Sequence, residues 1–283
     1  MSDNKIYNKL NNLLLITIIS LILQSVTGKV ILWDLGSTLV ETNKLKAVKE
    51  IGFIDLMKYN NKFHFKDRIF ATLNSLGKQK HPIEYLARNE EKILPDIMCK
   101  WLLGEVHGPE VIEIMSKQIK KLDKERFFSD SVEKKVIENA IKFMFNPEKL
   151  ANTAKPIKKA VKLFKECIRK KDKNGKPLNK VIIFSNWDKL SFEIFYKLPS
   201  SQKVFKHLPE KDVIISGFIG MIKPHICAYD YVIKIYNLDP KECILIDDQV
   251  ENTAIAERLG MKALHHGKDW KRLKYDLEFL EVI

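Results

Sequence analysis

Val30-Ile31-Leu32-Trp33-Asp34-Leu35-Gly36-Ser37-Thr38-Leu39 decides the fold. With Lys29 it opens as a run of consecutive apolar residues, not an alternating one. That pattern belongs to a strand covered on both faces, as in a parallel sheet with helices above and below. The run ends on Asp34. A carboxylate at the C-terminal tip of a buried strand costs several kcal/mol to desolvate unless something positive compensates it. A second tip of the same kind lies more than 200 residues on, where Cys243-Ile244-Leu245-Ile246 runs into Asp247-Asp248. Two such tips at the same edge of one parallel sheet form a site for a hard cation and a phosphate.

Between and after these tips the pattern alternates. Val181-Ile182-Ile183-Phe184 reads as a strand ending in Ser185-Asn186, Val213-Ile214-Ile215 as a short strand, and Lys262-Ala263-Leu264-His265 as a last one. Helical spacing fills the intervals. Pro156 is expected to open a helix with Ile157, Ala160, Val161, Phe164 and Ile168 on one face. Pro224 is expected to open another with Tyr229, Val232, Ile233 and Tyr236, and Glu251 to Leu259 forms one stopped by Gly260. Strands alternating with helices predict an α/β fold, a Rossmann-like parallel sheet. From Glu41 to Asn152 the pattern is helical throughout. Pro109 begins one helix with Val111, Ile112, Met115 and Ile119 at helical spacing, and Ser129 to Phe145 forms another. The expected organisation is a core of residues 29–40 and 153–283, with a helical subdomain of residues 41–152 inserted after the first strand.

The 283 residues carry a net charge of +13. The excess is +1 over residues 1–40, +4 over 41–150 and +8 over 151–283. Much of the last lies between Lys155 and Lys180, where eleven Lys/Arg face Glu166 and Asp172. A nucleic-acid footprint would have this charge, but no aromatic residue interleaves with the lysines of 169–180 as a stacking platform requires. A solvated helix face followed by a lysine-rich loop is the expected reading, with no nucleic-acid partner. The four cysteines, Cys99, Cys167, Cys227 and Cys243, form no CxxC pair, so neither a zinc site nor a disulfide framework is implied. His64, His81 and His107 fall in the insert singly and are expected on its surface or in its core.

At the N-terminus, Lys5 and Lys9 precede the apolar stretch Leu13 to Leu23, short for a bilayer span of roughly 20 residues. Small residues follow to Gly28, and residues 1–28 read as a signal peptide directing a secreted or periplasmic protein. An uncleaved membrane anchor and a buried helix are the alternatives.

Four strand ends or following loops therefore bear, in order, Asp34, Ser185-Asn186, Lys223 and Asp247-Asp248. An aspartate nucleophile, a hydroxyl, a lysine and metal carboxylates are what phosphoryl transfer through an aspartyl-phosphate needs. From about Lys29 to His265 the chain resembles the haloacid-dehalogenase-like (HAD) hydrolases. Their motifs are an apolar strand followed by DxDx[TV], a strand ending in Ser or Thr, a Lys, and an acidic pair after another strand. The long helical insert after the first motif resembles the C1 cap of that superfamily. By this resemblance Asp34 is the nucleophile and an Mg²⁺ ligand, and Asp248 is a second carboxylate ligand. Asp247 binds or orients metal water, and Gly36 offers its backbone carbonyl to the metal. Ser185 and the Asn186 amide hold phosphoryl oxygens, Lys223 neutralises charge, and Thr38 supports the loop. The substrate implied is a small phosphorylated metabolite.

One position departs from the pattern. The second aspartate of DxDx[TV], which protonates the leaving group and then activates water, is Gly36 here. Some HAD phosphatases acting on sugar phosphates have a similar Asp-x-Gly motif. Gly36, with Trp33 where the superfamily often has Phe, leaves open a catalytically silent domain that binds a partner or phospholigand. Haloacid dehalogenases also lack this acid but need no metal, and Asp247-Asp248 argues against that third reading.

Overall fold

A computed structural model describes residues 28–60, 62–77 and 94–283. The expected signal segment lies outside the described residues. Among the described residues no helix is long and apolar enough to cross a membrane.

Strand β1 (Val30–Trp33) sits at the centre of a five-stranded parallel sheet. The others are β4 (Lys180–Ser185), β5 (Val213–Ile215), β6 (Cys243–Asp247) and β7 (Lys262–His265), in the order β5-β4-β1-β6-β7. Ile31 is paired with Val181 on one side and Ile244 on the other, and Trp33 with Ile183 and Ile246. Ile31, Leu32 and Trp33 are fully buried because helices cover both faces. On one face Trp33 meets Phe164 edge-on, with ring centroids 5.7 Å apart. On the other Phe184 meets Tyr229 at 5.4 Å. The chain runs outward from β1 to β4 and β5, then returns across β1 to β6 and β7. β1 is thus where the winding reverses, and the crevice beyond its carboxyl end is where such sheets bind ligands.

The helix Lys158–Arg169 buries Ala160, Val161, Leu163, Phe164 and Cys167, so its lysines form the opposite, solvated face. The cysteines are all free.

The described residues of the insert between Lys44 and Thr153 form helices and their connections and no strand longer than a single bridge, the helices including Gly108–Lys124 and Ser131–Phe145. Met115, Val136, Ile137 and Ile141 lie in a core separate from those of the sheet. Two sequence expectations need correction at its edges. Residues Glu41 and Thr42 are not helical: Val40–Thr42 (β2) pairs antiparallel with Ala154–Pro156 (β3). Pro156 accordingly ends a strand, and its helix starts at Lys158. A three-residue strand carries too little pattern to show a period. What holds it is the neighbouring strand, 112 residues away in the register Thr42 to Ala154. The helix expected to open at Pro224 begins at Ile226, where the His225 Nδ1 caps the Cys227 amide at 3.3 Å.

Candidate active site

The tips of β1, β4 and β6 are adjacent because the strands are, and the sheet brings Asp34, Ser185 and Asp247 together. Lys223 arrives from the chain after β5. Asn186 fixes its approach, accepting the Lys223 amide at 2.8 Å and donating its own Nδ2 to the Lys223 carbonyl at 2.7 Å. The lysine side chain is fully buried. Its Nζ donates to Asp34 Oδ1 at 2.9 Å, to Asp247 Oδ2 at 2.6 Å and to the Phe184 carbonyl at 2.7 Å. All three ammonium protons thus have acceptors. The Ser185 hydroxyl donates to Asp34 Oδ1 at 3.0 Å and receives the Leu35 amide at 3.4 Å.

Asp247 is held from a further side. Asn252, on the helix Val250–Arg258, directs Nδ2 at both its oxygens at 3.0 Å, and the Gln249 amide donates to Oδ1 at 2.9 Å. This polar side chain, buried on the turn after the acidic pair, is a site residue to which the sequence reading gave no role. His266 is another: its Nε2 lies 3.3 Å from the Thr38 hydroxyl, and its amide donates to the Asp247 carbonyl at 3.2 Å. Burial pushes its imidazole down to about 4, so the ring is neutral near pH 7. The one signal for both was a polar side chain a few residues beyond a strand tip.

Burial dominates the electrostatics. It pushes the Asp34 carboxyl up to about 7, opposed by Lys223 and reinforced by Asp247 and Asp248. Burial alone would lower the Lys223 ammonium, but Asp247 and Asp34 outweigh it and hold it above its ordinary value. One lysine thus meets two carboxylates. Asp34, Asp247 and Asp248 each present an oxygen within 4.8 Å of the others. An all-oxygen, negatively charged donor set fits Mg²⁺ rather than a softer metal. Gly36 lies in the same loop, between Asp34 and Ser37, which has φ 59°. A Cβ placed on Gly36 meets nothing within 4 Å among the described residues. The missing acid therefore leaves open space, not a replacement side chain at that point.

The insert touches the core near this edge. The Ser216 hydroxyl donates to the Leu102 carbonyl at 2.8 Å and receives the Trp187 amide at 3.0 Å. Gly104 packs so closely on Gly217 that a Cβ there would stand 2.6 Å from the Gly217 carbonyl oxygen.

No protein-family model matches the chain. Drimenol cyclase drtB of Aspergillus calidoustus is 28% identical over 107 residues, 38% of this chain. The match spans 19% of that protein's length. A HAD family enzyme of Bacteroides thetaiotaomicron in a magnesium complex superposes with TM-score 0.50 at 17% identity, over 88% of this chain and 98% of that one. A single-site mutant of the same enzyme, in complex with magnesium and inorganic phosphate, gives 0.51 at 17% identity over 87% and 98%. The likeness is one of fold: the chain has the architecture of a HAD-family hydrolase, a Rossmann-like core with helices beside it.

Proposed function

We propose that this chain is an Mg²⁺-dependent phosphomonoester hydrolase that works through an aspartyl-phosphate on a small phosphorylated metabolite. The observation that carries the reading is the buried Asp34–Lys223–Asp247 cluster with Ser185 on one side and Asp248 on the other. An ordinary ion pair needs one carboxylate per lysine; this arrangement has a surplus of acid aimed at a crevice.

In this reading Asp34, Asp247 and Asp248 would hold the metal, which supplies Lewis-acid charge for a phosphoryl group brought close to carboxylates. One Asp34 oxygen attacks phosphorus, the bond to the leaving oxygen breaks, and that oxygen takes a proton from water, Gly36 offering no acid. Water then attacks the phosphorus of the aspartyl-phosphate, releasing phosphate and restoring Asp34. Lys223 keeps Asp34 oriented and offsets charge on the transferred group, while Ser185 is placed to donate to a phosphoryl oxygen. Asn186 and Asn252 act through Lys223 and Asp247. The fold's likeness to an enzyme holding magnesium and phosphate agrees with this assignment.

The purified protein is expected to hydrolyse p-nitrophenyl phosphate with added Mg²⁺ and to lose that activity in EDTA and in Asp34→Asn, whose amide is a poor nucleophile. Persistence of turnover in Asp34→Asn would remove the assignment. The open space at Gly36 favours a second reading, a silent phospholigand-binding domain. It gains if neither aryl nor alkyl phosphates turn over in Mg²⁺ while phosphate still raises the melting temperature.

A further inference from the structure

The helical insert carries an apolar ridge that its own core does not use. Phe53, Ile54 and Met57 are 60%, 67% and 61% exposed, and Phe63 is fully exposed. The first three belong to the helix Phe53–Lys58. Their spacing of one and three residues keeps them within one arc of its surface. The ridge is anchored from beneath. Tyr59 is 2% exposed, with its hydroxyl 3.3 Å from Glu133 Oε1, and Asn139 Nδ2 binds the Ile51 carbonyl at 3.0 Å. These side chains are thus presented on a fixed backbone.

Charge around the ridge is mainly positive. Lys49, Lys58, Lys62 and Lys66 are exposed, and none forms an ion pair among the described residues. The acids nearby have partners: Asp55 pairs with Lys135 at 2.9 Å and Glu50 with Lys149 at 2.8 Å, while Asp67 lies 3.3 Å from the His64 ring. Protein interfaces are depleted of lysine at their apolar centres. Large apolar side chains with flanking lysines match instead the boundary of a bilayer, where the rings enter the acyl edge and the ammonium groups meet lipid phosphates. Two other occupants meet a charge mismatch. A second copy would bring lysines against lysines, and the apolar stretch Leu13 to Leu23 is itself preceded by Lys5 and Lys9.

We propose that Phe53, Ile54, Met57 and Phe63, with their flanking lysines, dock this protein onto an anionic lipid surface. The test is co-sedimentation of the full chain with vesicles of phosphatidylcholine alone and of phosphatidylcholine with phosphatidylserine. The protein is expected to pellet with the anionic vesicles and to be released by raised salt, which screens the lysines. Both Ile54→Ser/Phe63→Ser and Lys58→Glu/Lys62→Glu are expected to weaken partitioning by about tenfold or more, the equivalent of about 1.4 kcal/mol. Melting temperatures should stay unchanged, because the replaced side chains are exposed. The proposal is overturned if anionic vesicles do not bind the protein. It is also overturned if both variants bind like the parent, which would place lipid affinity in the N-terminal apolar stretch. Ridge-dependent dimers in light scattering without lipid binding would overturn it in favour of self-association.

Discussion

Lys223→Met isolates the electrostatics of the site from any assumption about substrate. Methionine is unbranched and fills nearly the same space, so packing against Phe184, whose ring centroid lies 5.0 Å from the ammonium, is largely kept. What goes is a buried charge and its hydrogen bonds to Asp34, Asp247 and the Phe184 carbonyl. Removing one partner of a buried ion pair costs about 3–5 kcal/mol, because the other charge stays buried. The lower end applies here, since Asp247 retains Asn252 and the Gln249 amide, and Asp34 retains Ser185. For a chain of this size about 3 kcal/mol corresponds to a fall in melting temperature of roughly 6–12 °C. The assay is thermal unfolding followed by circular dichroism at pH 8 in EDTA and again in excess Mg²⁺. Part of the deficit should return with Mg²⁺, because a divalent cation answers the same carboxylates. Adding Asp247→Asn to Lys223→Met should cost less than the sum of the single changes, since it removes one uncompensated charge. A fall of less than about 2 °C, or full additivity in the double variant, would show that the lysine does not hold these carboxylates together.

Asp248→Asn should raise the Mg²⁺ concentration needed for half-maximal thermal stabilisation by about tenfold or more; superimposable titrations of parent and variant would exclude Asp248 as a ligand. Gly36→Asp enters open space, and a general acid is worth about 10²–10⁴-fold. Single-turnover rates should therefore rise for alkyl phosphates and change little for p-nitrophenyl phosphate, while equal effects on both would place the proton source elsewhere. In the insert, burial favours protonating Glu133, but hydrogen bonds from Arg68 and Ser129 and the charge of Arg68 outweigh it and lower the carboxyl below its ordinary 4.5. A lowered acid contributes stability above the unfolded-state value and loses it as pH falls through the folded one. The stability gap between the parent and Glu133→Gln should thus be largest above about pH 4.5 and close below it, and a gap independent of pH would refute the charged role of Glu133.

The strand tips were readable because their signals are local. Four or more apolar residues ending on a charged or hydroxyl group need no knowledge of the rest of the chain, and Asp34, Ser185 and Asp247 are such ends. Lys223 was readable only as a member of an ordered set, since Lys-Pro alone marks any helix start. Asn252 and His266 were not assigned roles: Asn252 reaches Asp247 only through the way its helix follows the strand, and His266 meets Thr38, 228 residues away, only in the fold. Asn186 shows a similar limit. The resemblance implied a phosphoryl contact for its backbone amide and nothing for its side chain, which ties down the Lys223 backbone at both the amide and the carbonyl. The β2–β3 ribbon escaped for the same reason as His266: each of its strands exists only through the other.

That ribbon also bears on how the chain reaches its fold. β1 cannot pair with β4 until about 150 intervening residues allow their ends to meet, and the entropy of closing a loop grows with the logarithm of its length. The insert has a core of its own, centred on Met115, Val136, Ile137 and Ile141, and its two ends are paired as Thr42 beside Ala154. Once that unit has formed, the loop separating β1 from β4 is shortened to about 35 effective residues, which on the logarithmic scale lowers the closure cost by about 1.3 kcal/mol. The insert would then speed assembly of the central sheet by shortening the path between a distant strand pair.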